Sequence, residues 1–372
     1  MSNRSIVIIE NHILATLSIR KKLLEALLNK GFDVTILATG TSVQLETART
    51  LGCKVIDVQS CGNDIFQVFK YGISIWRAIR KSKPSVCLTF TIRPAIIGNL
   101  ITRLLSVYTI TNITGVGPLF QSNKPTYKFA RGLYKYALHK TKKVFFQNND
   151  DRALFLKNNF VAAEKTALIP GSGIDHEFFK PVDYPYNKDK FSFLYIGRLL
   201  KDKGILEFIE AATQIKKEFA DIEIIVVGPL WQQNLKENTI TEHQLRSWIE
   251  EGTITYFGEV LDVRQFIAAA DCMVLPSYRE GTSNVLLEAS SMERPCITTD
   301  TTGCREIVED NVTGFLCKVA DANDLYIKMK KMFLLSAEAR IQMGKNARIK
   351  VKREFDKKIV IDAYLNAINC IV

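Results

Sequence analysis

Short apolar runs alternate with amphipathic stretches along most of this chain. The runs at residues 5–9, 33–38, 54–58, 86–90, 108–112 and 144–147 are four to six residues long. That length and their wealth of Val, Ile and Phe suit strands buried on both faces of a parallel sheet. Between them, residues 18–30 and 66–81 repeat their apolar positions with a helical period. The series pauses at Pro170-Gly171-Ser172-Gly173 and at Lys180-Pro181-Val182-Asp183-Tyr184-Pro185, turn-rich stretches suited to a linker. A second series follows at residues 191–195, 222–227, 254–257, 272–275 and 296–298, with helices expected after Gly204, Asp262 and Ser283. Residues 322–343 and 355–371 read as closing helices.

Strand–helix alternation of this kind predicts an α/β protein with two tandem Rossmann-like domains. The expected bounds are 1–182 for the first domain and 187–354 for the second, with 355–372 packing back on the first. Ligands of such folds bind at the carboxyl ends of strands, so a cleft between the two domains is expected. Composition agrees: over 372 residues, 47% are apolar and 24% charged, the balance of a packed protein rather than a disordered one. Eight cysteines (Cys53, Cys61, Cys87, Cys272, Cys296, Cys304, Cys317, Cys370) are scattered without a Cys-x-x-Cys pair. They read as reduced thiols of a cytosolic protein, with no zinc site and no disulfide framework. The apolar run Ile6-Val7-Ile8-Ile9 is too short for a secretory leader. Residues 104–123 lack any charge, but Asn112, Gly115, Gly117 and Pro118 interrupt them, so a buried strand entering a loop is expected there rather than a membrane span.

Charge changes the picture. Of the net +11, residues 1–185 hold 25 Lys/Arg against 12 Asp/Glu, and residues 186–372 hold 25 against 27. Between Lys54 and Lys143 there are 15 basic residues and only two acidic ones, Asp57 and Asp64. So lopsided a field implies an anionic partner for the first half.

The chemistry concentrates in the second half. Pro276-Ser277-Tyr278-Arg279-Glu280-Gly281-Thr282-Ser283-Asn284-Val285-Leu286-Leu287-Glu288-Ala289 follows an apolar strand and opens a helix. Gly281 permits close backbone approach, and Thr282, Ser283 and Asn284 are capping types at the positive end of a helix dipole, a place for phosphate. Glu280 and Glu288 could each accept paired hydrogen bonds from sugar hydroxyls, so a sugar nucleotide satisfies the set. Alone, the stretch is equally a capped helix with two solvated glutamates. Its context is Tyr195-Ile196-Gly197-Arg198, followed by Lys203-Gly204: a strand ending in a guanidinium fork, then a second cation. Cations beside a departing diphosphate stabilise charge that grows in the transition state. Val227-Gly228-Pro229 and Phe257-Gly258-Glu259-Val260 add two further glycine turns at strand ends.

These stretches, with Thr302-Gly303, Glu306-Ile307-Val308 and Gly314-Phe315-Leu316, resemble the donor domain of retaining glycosyltransferases of family 4, which have the GT-B fold. The resemblance implies that Arg198 and Lys203 hold the diphosphate of a nucleotide sugar, with Glu280 on donor-sugar hydroxyls and Glu288 on the ribose. Gly197, Gly228, Gly281, Thr282, Ser283, Asn284 and Val285 would complete the donor cradle, and Phe257, Gly258 and Val260 would flank the base. It implies no metal and no other cofactor, a phosphate oxygen taking the acceptor proton, and a UDP-sugar, UDP-N-acetylhexosamine included, as the favoured donor.

In the first half, Thr89-Phe90-Thr91-Ile92-Arg93-Pro94 and Thr111-Asn112-Ile113-Thr114-Gly115-Val116-Gly117-Pro118 resemble bacterial members that extend polyprenyl-diphosphate-linked glycans. Asn112, Thr114, Gly115 and Gly117 are the expected acceptor-side residues. Two departures stand out. Glu10-Asn11-His12 replaces the glycine-rich loop common after the first strand, and no histidine follows the fifth strand. His12 is therefore only an outside candidate for assisting the chemistry.

Lys128, Arg131 and Lys135 recur at helical spacing as a basic stripe, and Phe66, Phe69, Ile73 and Trp76 alternate with Lys70, Arg77, Arg80 and Lys81. Both segments suit an anionic membrane surface, placing the protein on the inner face of the cell membrane from the cytoplasm. A transferase with a soluble acceptor and a sugar-nucleotide epimerase remain alternatives within the fold. A basic membrane- or nucleic-acid-binding protein is the alternative outside enzymology, though no nucleic-acid-reading motif is present.

Overall fold

The computed structural model describes residues 4–58, 64–116, 120, 125–183, 189–231 and 238–372. Two compact units form: residues 1–172 with 357–372, and residues 173–356.

The first unit alternates strands and helices in chain order. They are β1 (Ser5–His12), α1 (Ile13–Ser18), α2 (Lys21–Asn29), β2 (Asp33–Thr39), α3 (Ser42–Thr50), β3 (Lys54–Asp57), α4 (Ile65–Ser82), β4 (Val86–Phe90), α5 (Ile92–Leu104), β5 (Tyr108–Ile113), α6 (Pro125–Leu138), β6 (Lys143–Phe146), α7 (Asn149–Lys157) and β7 (Thr166–Leu168). All seven strands are parallel, in the order β3-β2-β1-β4-β5-β6-β7. Side-chain alternation sorts the core: Ile6, Ile8, Val86 and Leu88 face one helix layer, while Val7, Ile9 and Cys87 face the other. On the first of these faces lies the C-terminal helix Lys357–Asn369, which buries Val360, Tyr364 and Ile368 among the sheet residues. The return of the chain end to the first domain is thus as expected.

The second unit repeats the plan with β8 (Phe191–Ile196), α8 (Ile205–Glu218), β9 (Ile222–Val227), α9 (Glu242–Glu250), β10 (Thr255–Tyr256), α10 (Arg264–Ala269), β11 (Cys272–Leu275), α11 (Asn284–Ser291), β12 (Cys296–Thr299), β13 (Gly314–Cys317), α12 (Ala322–Leu334) and α13 (Ala337–Glu354). Its sheet is parallel in the order β10-β9-β8-β11-β12-β13. In both sheets the strand order reverses beside the first strand, which creates a switch point at the carboxyl edge. Every residue of β8 and β11 is buried, as their unbroken apolar runs require.

Several boundaries differ from the sequence expectation, each for a local reason. The helix expected over 18–30 breaks at Arg20, whose side chain turns inward to meet Glu10. The helix expected over 322–343 ends at Leu335, and Ser336 caps a new one by accepting from the Ala339 amide. Strands β7 and β13 are three and four residues long, too short for a period to declare them.

The division falls at 172/173 and 356/357 rather than at 182/187 and 354/355. Residues 174–183 belong to the second unit because they are stitched to it. The Ile174 amide donates to the Phe355 carbonyl (2.7 Å), Ser291 Oγ to the Phe179 carbonyl (2.7 Å), and Arg294 Nη2 to the Asp183 carbonyl (3.2 Å).

Candidate functional site

The site grows from the switch point of the second sheet, where β8 and β11 lie side by side. After β8 the chain turns at Gly197, whose amide donates to the Val227 carbonyl at 3.0 Å. The neighbouring turn, Gly228, has φ +137°, and a Cβ there would sit 2.0 Å from the Gly197 carbonyl oxygen. Only a glycine allows the two turns to touch. The Gly228 amide in turn donates to the Gly258 carbonyl (2.7 Å), so the strand ends of β8, β9 and β10 are tied in a row. Phe257 beside them stays half-exposed with its ring 4.9 Å from Phe266, and Val260 leans on the core.

A single 3-10 turn, Lys201–Lys203, follows Arg198 and presents Lys203 toward the loop after β11. Lys203 Nζ stands 2.5 Å from Glu280 Oε1, with both side chains about one-sixth exposed. Backbone contacts hold that pair. The Tyr278 amide donates to the Asp202 carbonyl (2.9 Å) and the Glu280 amide to the Thr302 carbonyl (3.0 Å). Gly303 sits at φ +81°, where a Cβ would come within 2.5 Å of the Glu280 carbonyl group. Beneath the turn, the buried Tyr195 hydroxyl lies 3.3 Å from the Arg198 carbonyl and 3.4 Å from that of Lys203. Burial, reinforced by the Glu280 and Asp202 carboxylates, pushes that phenol well above its ordinary range, so it stays protonated and donates. The Arg198 guanidinium lies over the Trp231 ring, 5.2 Å from its centroid.

Helix α11 starts at Asn284, and its Ser283 cap makes no side-chain capping bond. The Ser283 amide itself donates to the Gly303 carbonyl (3.0 Å). Leu286, Leu287, Ala289, Ser290 and Ser291 are buried, whereas Asn284, Val285 and Glu288 are half-exposed on one face. Gly281 and Thr282 bridge from Glu280 to that face. An anion at this helix start would meet backbone N–H groups, the helix dipole, Lys203 and Arg198 together. A carboxylate would remain on each side for hydroxyls.

The first unit places its candidates differently. Asn112 at the end of β5 is buried, and its Nδ2 donates to the Tyr364 hydroxyl at 2.8 Å. It anchors the C-terminal helix rather than lying open to a ligand. Thr114 and Gly115 follow it half-exposed, with Gly115 at φ +139°, and Gly117 lies outside the described residues. His12 caps α1 by accepting from the Leu14 amide at 3.2 Å, a structural use of the ring. Lys128 and Lys135 are exposed on α6, and Arg131 shares a groove with Lys135, Phe120, Leu154 and Phe160. Tyr195, Trp231 and Gly303 are supports that motif reasoning passed over as functional. Gly303 stood in a quoted stretch, but its approach to Glu280 is a contact across 23 positions that spacing does not reveal.

Two family models match this chain: one described as glycosyl transferases group 1 over residues 177–350, the other as glycosyl transferase 4-like over residues 13–148. It is 30% identical over 196 residues to the capsular polysaccharide biosynthesis glycosyltransferase CapM of Staphylococcus aureus, a match to 51% of this chain and 50% of that protein. The chain thus spans about half the length of that relative. It is 27% identical over 319 residues, 79% of each chain, to the UDP-Gal:alpha-D-GlcNAc-diphosphoundecaprenol alpha-1,3-galactosyltransferase of Escherichia coli. In fold it is similar to Anabaena Alr3699/HepE, solved with UDP and glucose, at a TM-score of 0.80 and 16% identity over 98% of this chain and 99% of that one.

Proposed function

This chain belongs to the glycosyltransferases of the GT-B fold, with a 4-like first half and a group 1 second half, and from that premise we propose its reaction. It transfers a sugar from a nucleotide-diphosphate sugar to a hydroxyl of a polyprenyl-diphosphate-linked glycan, with retention at the anomeric carbon and no metal. The observation that carries the reading is the Lys203–Glu280 pair, 2.5 Å apart and still partly exposed, in the loops that also carry Arg198 and lead into α11.

Each residue then has a chemical task. Arg198 and Lys203 hold the diphosphate, and the amides around Gly281–Val285 share its charge with the helix dipole. As the β-phosphate leaves, these fixed cations stabilise the growing negative charge, the work a divalent ion performs elsewhere. Lys203 exchanges Glu280 for a phosphate oxygen when donor arrives, which releases Glu280 to the sugar hydroxyls. Glu288, one turn into α11, takes the ribose. The acceptor hydroxyl approaches from the leaving-group face, and a phosphate oxygen receives its proton.

For the donor and acceptor the support is kinship. The E. coli relative is named for UDP-Gal and a diphosphoundecaprenol-linked acceptor, and a Campylobacter jejuni relative, 27% identical over 244 residues, for a diphospho-undecaprenol-linked acceptor. A UDP-sugar is thus the donor to test first, UDP-N-acetylhexosamine among them. Among the described residues no helix is long and apolar enough to cross a membrane. A lipid-linked acceptor would be met at the cytoplasmic membrane face, with Lys128, Arg131 and Lys135 toward anionic headgroups.

The test is a saturation-transfer NMR screen against UDP-, GDP- and other nucleotide sugars in EDTA, followed by transfer to a short polyprenyl-diphosphate acceptor. Selective binding of one donor and a product of unchanged anomeric configuration are expected. Failure of every nucleotide sugar to bind the folded protein removes the donor site, and release of an epimerised nucleotide sugar replaces transfer with epimerisation.

A further inference from the structure

Helices α4, α5 and α6 form one layer on the first sheet, with α4 and α6 flanking α5. Each leaves the carboxyl end of a parallel strand, so all three begin at the same edge of the sheet. Their inward faces are spent on the core: Tyr71, Ile75, Ala78 and Ile79 of α4, and Tyr134, Ala137 and Leu138 of α6, are buried. The amphipathic pattern of both helices is thus consumed by packing. Three phenylalanines are nevertheless left outside, Phe66 (73% exposed) and Phe69 (67%) in the first turns of α4, and Phe129 (74%) in the first turns of α6.

Aromatic rings further along these helices each carry a stacked guanidinium. Arg80 lies over Trp76 (4.8 Å) and Arg103 over Tyr136 (3.9 Å). Among the described residues no cation and no ring stacks on Phe66, Phe69 or Phe129. Bare aromatics at one edge, set among charges mostly of one sign, mark a surface that meets a partner. Those charges are mainly basic: Lys70 and Lys128 are adjacent in sequence to the phenylalanines, and Arg93 is exposed at the start of α5 between them, against the single carboxylate of Asp64 at the α4 cap. Asp64 is the sole carboxylate in the sequence between residues 58 and 143.

We infer that Phe66, Phe69 and Phe129 enter the interfacial region of an anionic phospholipid bilayer, with Lys70, Arg93 and Lys128 on its headgroups. This surface turns the carboxyl edge of the first sheet toward the membrane. Aromatic insertion combined with basic residues is the usual chemistry of reversible interfacial binding. The inference rests on the lipid-linked acceptor proposed above and assigns the docking to side chains that make no part of the transfer site.

The experiment uses the whole chain and vesicles of phosphatidylglycerol, or of phosphatidylcholine as control, with no sugar present. Wild type is expected to sediment with phosphatidylglycerol vesicles, and F66S/F69S/F129S to lose at least tenfold in partition coefficient while binding its nucleotide sugar as wild type does. In a separate F129W variant, the added indole should shift to shorter wavelength on those vesicles. Vesicle binding that the triple substitution leaves intact, or a wild type that does not bind, overturns the proposal. So does a wild-type dimer that the same substitutions dissociate in sedimentation velocity. Because vesicle and nucleotide-sugar binding are read separately, loss of one reading leaves the other standing.

Discussion

Each sheet opens with a strand that ends in a polar turn, and the two turns treat their charges in opposite ways. Near the end of β1, Glu10 is 1% exposed and Arg20 Nη1 reaches its Oε2 at 2.7 Å, with the guanidinium 4.0 Å from the Phe90 ring. After β8, Lys203 and Glu280 meet at 2.5 Å with about one-sixth of each side chain exposed. The first pair is sealed into the floor of its unit beside Tyr364 and the C-terminal helix. The second is raised to the rim by glycines at 204, 228 and 303 that let backbones approach within bonding distance. Burial makes an ion pair costly to break and useless to a ligand, whereas partial exposure leaves it exchangeable. That contrast separates a sealed pair from one a ligand could exchange, in a chain whose two halves share one topology.

The largest effect expected from breaking the comparison is at the partly exposed site, on Glu280 of the pair and on Arg198. Glu280→Ala and Arg198→Ala should each abolish transfer almost completely, by about 10²–10³-fold or more, since removed charge stabilisation in such sites is of that order. Thermal unfolding should move less than for the sealed pair, because Lys203 and Glu280 keep about one-sixth of their side chains exposed and Arg198 is itself exposed, so water reaches the group left behind. Steady-state transfer and a melting curve on the same samples check both halves; substantial turnover in either variant would remove these residues from the site.

The closed pair should do the reverse. Glu10→Leu alone leaves Arg20 buried without its partner, at a cost of about 3–5 kcal/mol. Glu10→Leu with Arg20→Met should restore stability or exceed wild type by about 1–4 kcal/mol, because desolvation outweighs attraction in a sealed pair. The pKa direction agrees: burial lifts Glu10 above its ordinary 4.5 despite the opposing Arg20 charge. A carboxyl whose folded value is raised contributes stability that is full below 4.5 and lost as pH rises through the folded value. Wild type should therefore lose ground to the double variant as pH rises above 4.5, measured by urea unfolding.

How much of this was legible in the sequence follows the same line. The glycines at strand ends, the Arg198–Lys203 spacing and the Glu280–Glu288 stretch are local patterns, and local patterns survive in one dimension. That residues 355–371 form a helix was also readable, but its return to the first domain rests on packing that the sequence alone does not show. The break at Arg20 was not, since the residue that draws it inward is ten positions away on a strand. Asn112 sat in a stretch that pointed to the acceptor, yet its partner Tyr364 lies 252 residues later. The exposed phenylalanines were legible as members of amphipathic segments, but which apolar residues the core would take was a matter of packing.

Gly303 tests how far the open pair depends on its support. Gly303→Ala forces a Cβ toward the Glu280 carbonyl at a positive φ, so the loop carrying Glu280 must shift. A loss of about 1–3 kcal/mol in stability is expected, with weaker donor binding. An equal substitution at Gly252, also at positive φ but with open space around it, should lower stability without touching the donor. Donor titration and denaturant unfolding of the two variants separate strain in general from displacement of Glu280.

The smallest effect sharpens the comparison most finely, because both turns stack a guanidinium on an aromatic ring. Arg20 on Phe90 is buried, and Arg198 on Trp231 is exposed. An exposed cation–π contact contributes about 0.5–1 kcal/mol, and under the proposed function it holds the Arg198 fork for the diphosphate. Trp231→Leu should accordingly weaken nucleotide-sugar binding about two- to fivefold, given roughly tenfold per 1.4 kcal/mol. If the ring only orients Arg198, Trp231→Phe recovers most of that loss, since a benzene face still accepts the cation. If the indole instead contacts the donor itself, phenylalanine rescues nothing, and the loss differs between a nucleoside diphosphate and a nucleoside. Titrating the three proteins with UDP and uridine distinguishes a ring that acts through Arg198 from one that acts on the ligand.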